Sequence, residues 1–141
     1  TLQVKNRRAV LEGGANFEAT FKANLWKLKG DGNRKEDSDW FLREMWITKN
    51  GALCYHSAKE QKDLIYYNYQ DLSNCKVNKV ADADSAKKFT FEIHLETADG
   101  LEFDPGVFAA ENEDFREKWM DQLEHSKKSH PRGSRTSIVV G

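Results

Sequence analysis

Five basic side chains fall within one short stretch: Lys27, Lys29, Arg34, Lys35 and Arg43. Lysine supplies a compact point charge and arginine a planar two-pronged donor, a pairing that suits phosphate oxygens. Glu36, Asp37 and Asp39 follow Lys35 at once and support a second reading, an ordinary solvated loop whose charges cancel locally. Trp40 and Phe41 come next. Exposed, they would enter the headgroup boundary of a bilayer, as aromatics commonly do; buried, Trp40 would pack in a core. Tyr55 presents the same choice, a hydroxyl within reach of a phosphate or a ring packed across strands.

Other chemistries find less support. His56, His94, His125 and His130 are scattered without metal-ligand spacing, so no metal is assigned. No Gly-rich phosphate loop, nucleophile elbow or paired-carboxylate signature is present, so the chain reads as a binding protein without a cofactor and not as an enzyme. Cys54 and Cys75 lack CxxC spacing and read as two buried thiols. The net charge is −1, but Lys5, Arg7 and Arg8 at one end and Lys127, Lys128, Arg132 and Arg135 at the other leave the middle acidic. That balance disfavours nucleic acid as a partner and limits attraction to anionic surfaces to a local patch or to the two ends.

A length of 141 residues suggests one domain with spare chain. Residues 1–19 read as a partly flexible leader in which Leu2, Val4, Val10 and Leu11 could dock. Residues 20–126 form the domain, and residues 127–141 a flexible basic tail. The chain begins at Thr1, which is read as a missing native N-terminus. No apolar run approaches the length that spans a bilayer.

Within the domain most segments alternate with period two. Phe21, Ala23 and Leu25 alternate with Lys22, Asn24 and Trp26, so either Leu25 or Trp26 should face outward. Gly30–Asn33 is a turn, and Trp40–Thr48 a second strand. Asn50-Gly51 predicts a type I′ hairpin into Ala52–His56. Leu64–Tyr67 and Cys75–Val80 are weaker strands, and Tyr66, Tyr67 and Tyr69 read as half-buried strand aromatics. Phe89, Phe91, Ile93 and Leu95 alternate strictly, and Leu101–Phe103, resuming at Val107-Phe108, makes seven strands. From Asn112, a plausible N-cap, the period becomes helical. Phe115, Trp119 and Leu123 share one face, with Arg116, Glu117, Asp121 and Glu124 on the other. The class is mainly β with one helix.

Three motifs in this order resemble the pleckstrin-homology (PH) domain. Leu25-Trp26-Lys27-Leu28-Lys29-Gly30 is similar to the family's first strand, and Trp40-Phe41-Leu42-Arg43 to its second. Phe108-Ala109-Ala110 with Glu113–Trp119 resembles its last strand and capping helix, Trp119 standing at the family's nearly constant Trp. The resemblance implies a seven-stranded antiparallel β-barrel or sandwich capped by a C-terminal α-helix. It also implies that Lys27 and Arg43 face each other at the mouth of the first hairpin, with Lys29, Arg34, Lys35 and Tyr55 as further lipid-binding candidates and Trp40 and Phe41 as membrane contacts. Members that grip phosphoinositides carry Lys or Arg where this chain has Phe41, a departure that suits a smaller phosphate headgroup or a domain that docks proteins. The chain is also similar to the small acylated PH proteins of apicomplexan parasites.

The expectation is a monomer that attaches peripherally to the cytosolic face of a membrane through an anionic phospholipid. Phosphatidic acid is favoured over polyphosphoinositides. The alternative is a scaffold of the same fold that docks a protein partner without lipid.

Overall fold

The structure, a computed structural model, describes residues 2–3, 9–10, 17–96 and 102–129. In chain order its elements are β1 (Leu2–Gln3), β2 (Ala9–Val10), β3 (Ala19–Leu28), β4 (Trp40–Thr48), β5 (Leu53–Ser57) and β6 (Lys62–Tyr67). Then come α1 (Tyr69–Ser73), β7 (Lys76–Lys79), β8 (Thr90–His94), β9 (Glu102–Phe103), β10 (Gly106–Ala109) and α2 (Glu113–Ser129).

One antiparallel sheet runs β2-β6-β5-β4-β3-β10-β8-β7. Six of the expected strands and the resumed part of the seventh, Val107-Phe108, are in it, and β2 adds an eighth at the edge of β6. Glu102–Phe103, expected as the start of the seventh, instead forms β9, which pairs in parallel with β1. β3 is the element on which the sheet turns. It pairs with β4 as far as Leu28↔Trp40, and at Trp26 and Lys27 it also pairs with β10. Alternation then places Leu25, Met45, Ile47, Leu53, Leu64, Phe91, Ile93 and Phe108 in one core, to which α2 adds Trp119 and Leu123. Leu25 is the buried member of its pair, while Trp26 is half-buried under the Lys87 ammonium, 3.8 Å from its ring.

The helix begins as expected: the Asn112 side chain accepts from the Phe115 N–H at 2.8 Å. Trp119 is fully buried, its ring edge-on to Phe21 at 4.8 Å. Arg116, expected on the solvent face, is only 8% exposed, because its guanidinium reaches both Glu113 and the Thr90 carbonyl. The helix also runs to Ser129, into the segment expected as tail; residues 130–141 lie outside the described residues.

Other local expectations are corrected. Among residues 49–51 only Gly51 has positive φ, 89°, so the β4–β5 connection is not type I′. It is a three-residue loop closed by Gly51 N–H to Thr48 O and Thr48 N–H to Ala52 O, both 2.9 Å. Tyr69 is an exposed residue of α1, a turn of helix initiated by reciprocal bonds between Asn68 and Asp71. Phe89 precedes its strand in the left-handed region at φ 61°. Cys54 and Cys75 are buried free thiols, and burial pushes their pKa values up to about 12 and about 11.

Candidate site at the barrel mouth

The β3–β4 loop is shaped by its own polar groups. Lys29 N–H donates to Asp39 O and Gly32 N–H to Lys29 O, each at 3.0 Å. The Asp39 carboxylate accepts from Asn33 N–H at 2.8 Å and pairs with the Lys29 ammonium at 3.2 Å. These contacts, the Asn33 bond first, hold its pKa below the ordinary value. The Arg34 carbonyl accepts from Trp40 Nε1 at 3.1 Å and from Ala86 N–H at 2.8 Å, which pins the loop to the β7–β8 connection.

That arrangement overturns the expectation that Trp40 contacts a membrane. Its indole is 6% exposed, packs with Leu28, Val107 and Ala109 on the outer face of the sheet, and has used its N–H within the protein. The exposed apolar side chain of this strand is Leu42, at 49%. It lies opposite Trp26 in the β3–β4 register. Strand parity carried that signal: Leu42 shares a face with Trp40 and, two residues on, has lost the loop that covers it.

Beneath the loop lies a cavity of about 630 Å³, bounded also by the approach to β10. Lys27, Lys29, Arg34 and Lys35 line it, so four of the sequence-derived candidates are brought together. Arg43 and Tyr55 lie beside it and not in its lining. Lys27 is opposite Phe41 in the register and Arg43 opposite Leu25, all on the inner face. The Arg43 guanidinium sits 4.7 Å from the Phe41 ring and 4.2 Å from that of Tyr55, itself buried. Phe41, half-buried, is thus a platform for Arg43.

Lys27 is the unusual group. Only 7% exposed, it donates to its neighbour Leu28 O at 2.9 Å and lies over the rings of Tyr66 (5.0 Å) and Phe108 (5.6 Å). Burial, and then the nearby charge of Arg43, lower its pKa to about 8.

Two contributors to the cavity were not among the site candidates read from the sequence. Tyr66 and Tyr67 close its inner end, and burial pushes the Tyr66 hydroxyl up to about 12. The second contributor is a set of carboxylates: Asp31, Asp84, Glu92 and Asp104 balance the four cations one for one. Glu92 pairs with Arg34. Its outward direction could be read from its place between Phe91 and Ile93, but its meeting with a residue 58 positions earlier depends on how the loop folds over. Among the described residues no group of three or more His, Cys, Asp or Glu is placed to hold a metal ion, and no helix is long and apolar enough to cross a membrane.

A PH-domain family model matches residues 21–128, most of the chain. The chain belongs to the PH domain family. No curated protein sequence matches this PH domain. Among solved structures it is similar to the PH domain of the human KIAA0053 protein, at TM-score 0.59 and 20% identity over 83% of this chain and 94% of that one. It is similar also to the C-terminal PH domain of pleckstrin in complex with D-myo-Ins(1,2,3,5,6)P5, at 0.54 and 20%, covering 79% and 97%. The Slm1-PH domain in complex with inositol-4-phosphate aligns at 0.50 and 14%, covering 79% and 97%. These likenesses reach the PH fold and not the acylated apicomplexan subgroup.

Proposed function

We propose that this PH domain is a membrane-recruitment module that binds an anionic phospholipid at the barrel mouth, with phosphatidic acid favoured over polyphosphoinositides. The observation that carries the reading is Lys27, a buried lysine lining a cavity and held with a lowered pKa. A phosphate seated beside it would supply the countercharge that this ammonium lacks among the described residues, and exposed Lys35 at the rim would add attraction. The carboxylates around the cavity favour a headgroup of low charge, and Phe41 in place of a third base acts in the same direction. Inositol phosphates bound by the pleckstrin and Slm1 domains support phosphate recognition as the general chemistry.

The test is sedimentation with phosphatidylcholine vesicles carrying phosphatidic acid or, at equal total charge, phosphatidylserine. The domain should pellet preferentially with phosphatidic acid, and Lys27→Met should weaken this about tenfold or more while the protein still melts cooperatively. Equal binding to every anionic vesicle, unchanged by Lys27→Met, would move the contact to the basic ends of the chain. The protein-scaffold reading is favoured by one observation, the engagement of Lys29 by Asp39 and of Arg34 by Glu92 within the domain. Absence of binding to any vesicle would select it.

A further inference from the structure

Arg34 is the strongest phosphate donor lining the cavity, and it is already occupied. Its guanidinium Nη1 bonds to Glu92 Oε2, while Glu92 Oε1 meets His94 Nε2 at 3.0 Å. The Glu92 side chain is 15% exposed. It stands on β8, opposite Val107 of β10 and Asn78 of β7 in the register, so its carboxylate is held by the sheet and not by a loop. Arg34 is fixed as firmly, since its carbonyl receives both the Trp40 indole and the Ala86 amide. The pair joins a guanidinium 37% exposed to a carboxylate 15% exposed between two fixed backbones, so salt screens it less than a pair in open solvent.

We infer that Glu92 is a specificity-determining residue, which holds Arg34 out of use and thereby limits the charge of the phosphate ligand that the cavity accepts. The inference deepens the anionic-lipid reading and rests on it for the identity of the natural ligand. With Glu92 in place the cavity sets four carboxylates against four cations. A polyphosphate must displace Glu92 from Arg34 and then lie among like charges, whereas a single phosphomonoester needs only Lys27 and the exposed Lys35. Glu92→Gln keeps an acceptor for His94, removes one negative charge and releases the two-pronged donor.

The experiment titrates myo-inositol hexakisphosphate into the whole protein by calorimetry, alongside phosphatidic-acid vesicle sedimentation. Glu92→Gln should bind the hexakisphosphate at least about tenfold more tightly than the unaltered chain, the scale of one close charge pair. The double change Glu92→Gln, Arg34→Gln should return to the starting affinity. General loosening of the fold would weaken all binding and could not give this gain; Glu92→Thr, a residue suited to a strand, repeats the test should Gln not fold. No gain in Glu92→Gln, or a gain that survives loss of Arg34, overturns the inference. The two readings fail separately: a hexakisphosphate gain without phosphatidic-acid binding by the unaltered chain sinks the lipid assignment alone, and the reverse pattern sinks the role of Glu92 alone.

Discussion

Lys27 sets stability against binding at a single side chain. Its pKa is about 8 in the folded protein and 10.5 in the ordinary case. Between those values the unfolded chain keeps a proton that the folded one has released, so stability rises with pH across that window. Below about pH 8 both states are charged and the folded state carries the full cost of the buried ammonium, about 3 kcal/mol. Lys27→Met removes that cost. Urea denaturation at neutral pH should show a gain of about 1–3 kcal/mol that disappears above about pH 10. A lowered midpoint would mean that the contacts with Tyr66 and Phe108 outweigh desolvation. Binding should run the opposite way: vesicle capture should weaken as pH rises through about 8, as Lys27 loses its charge. A phosphomonoester does not lose charge over that range, so a rise in capture instead would remove Lys27 from the site.

At the level of elements, α2 and the loop ends carry most of the local specificity. Trp119→Ala opens a cavity beneath the helix and should cost about 3–5 kcal/mol in a denaturant titration. Arg116→Ala takes a charged donor from the Thr90 carbonyl, which keeps only the Val80 N–H, and should cost about 1–3 kcal/mol, a loss the solvent-face reading of this residue would not produce. At Gly106 a methyl group would stand 2.5 Å from the Tyr67 hydroxyl and 2.9 Å from the Phe108 ring. Gly106→Ala should therefore lower the melting temperature and disturb the floor of the cavity, by about 1–3 kcal/mol. The strands and α2 were legible in the sequence because alternation and the Phe115–Trp119–Leu123 spacing record burial directly. Arg116 was misread because a buried arginine and a solvated one occupy the same helical phase until a partner is seen. Trp40 was open for a similar reason: period two says which face it takes, but only the fold of the preceding loop decides whether that face is covered. The lysines and Arg34 were found as a cluster, and Asp39 answers Lys29 from within the same loop as local cancellation predicted, while Glu92, Asp84 and Asp104 come from β8 and from distant loops.

Across the whole molecule, the sheet ends in two different ways. At β6 the backbone of β2 pairs through Ala9↔Ile65 and Val10↔Leu64, so the chain's own leader supplies the next strand. At β7, the other end of the sheet, Lys76 and Lys79 are exposed, and charge on an edge strand opposes the addition of another chain. Removing residues 1–16 should speed amide exchange around Leu64 and Ile65 about tenfold or more, with β8 unaffected; unchanged rates would show that the pairing contributes no protection. Trp119 closes the same structure from the helix side, and its fully buried indole Nε1 has no hydrogen-bond acceptor among the described residues. An indole kept dry and unbonded emits at shorter wavelength than one in water. The capping helix therefore carries its own optical reporter, one whose emission would shift to the red as α2 lifts from the barrel.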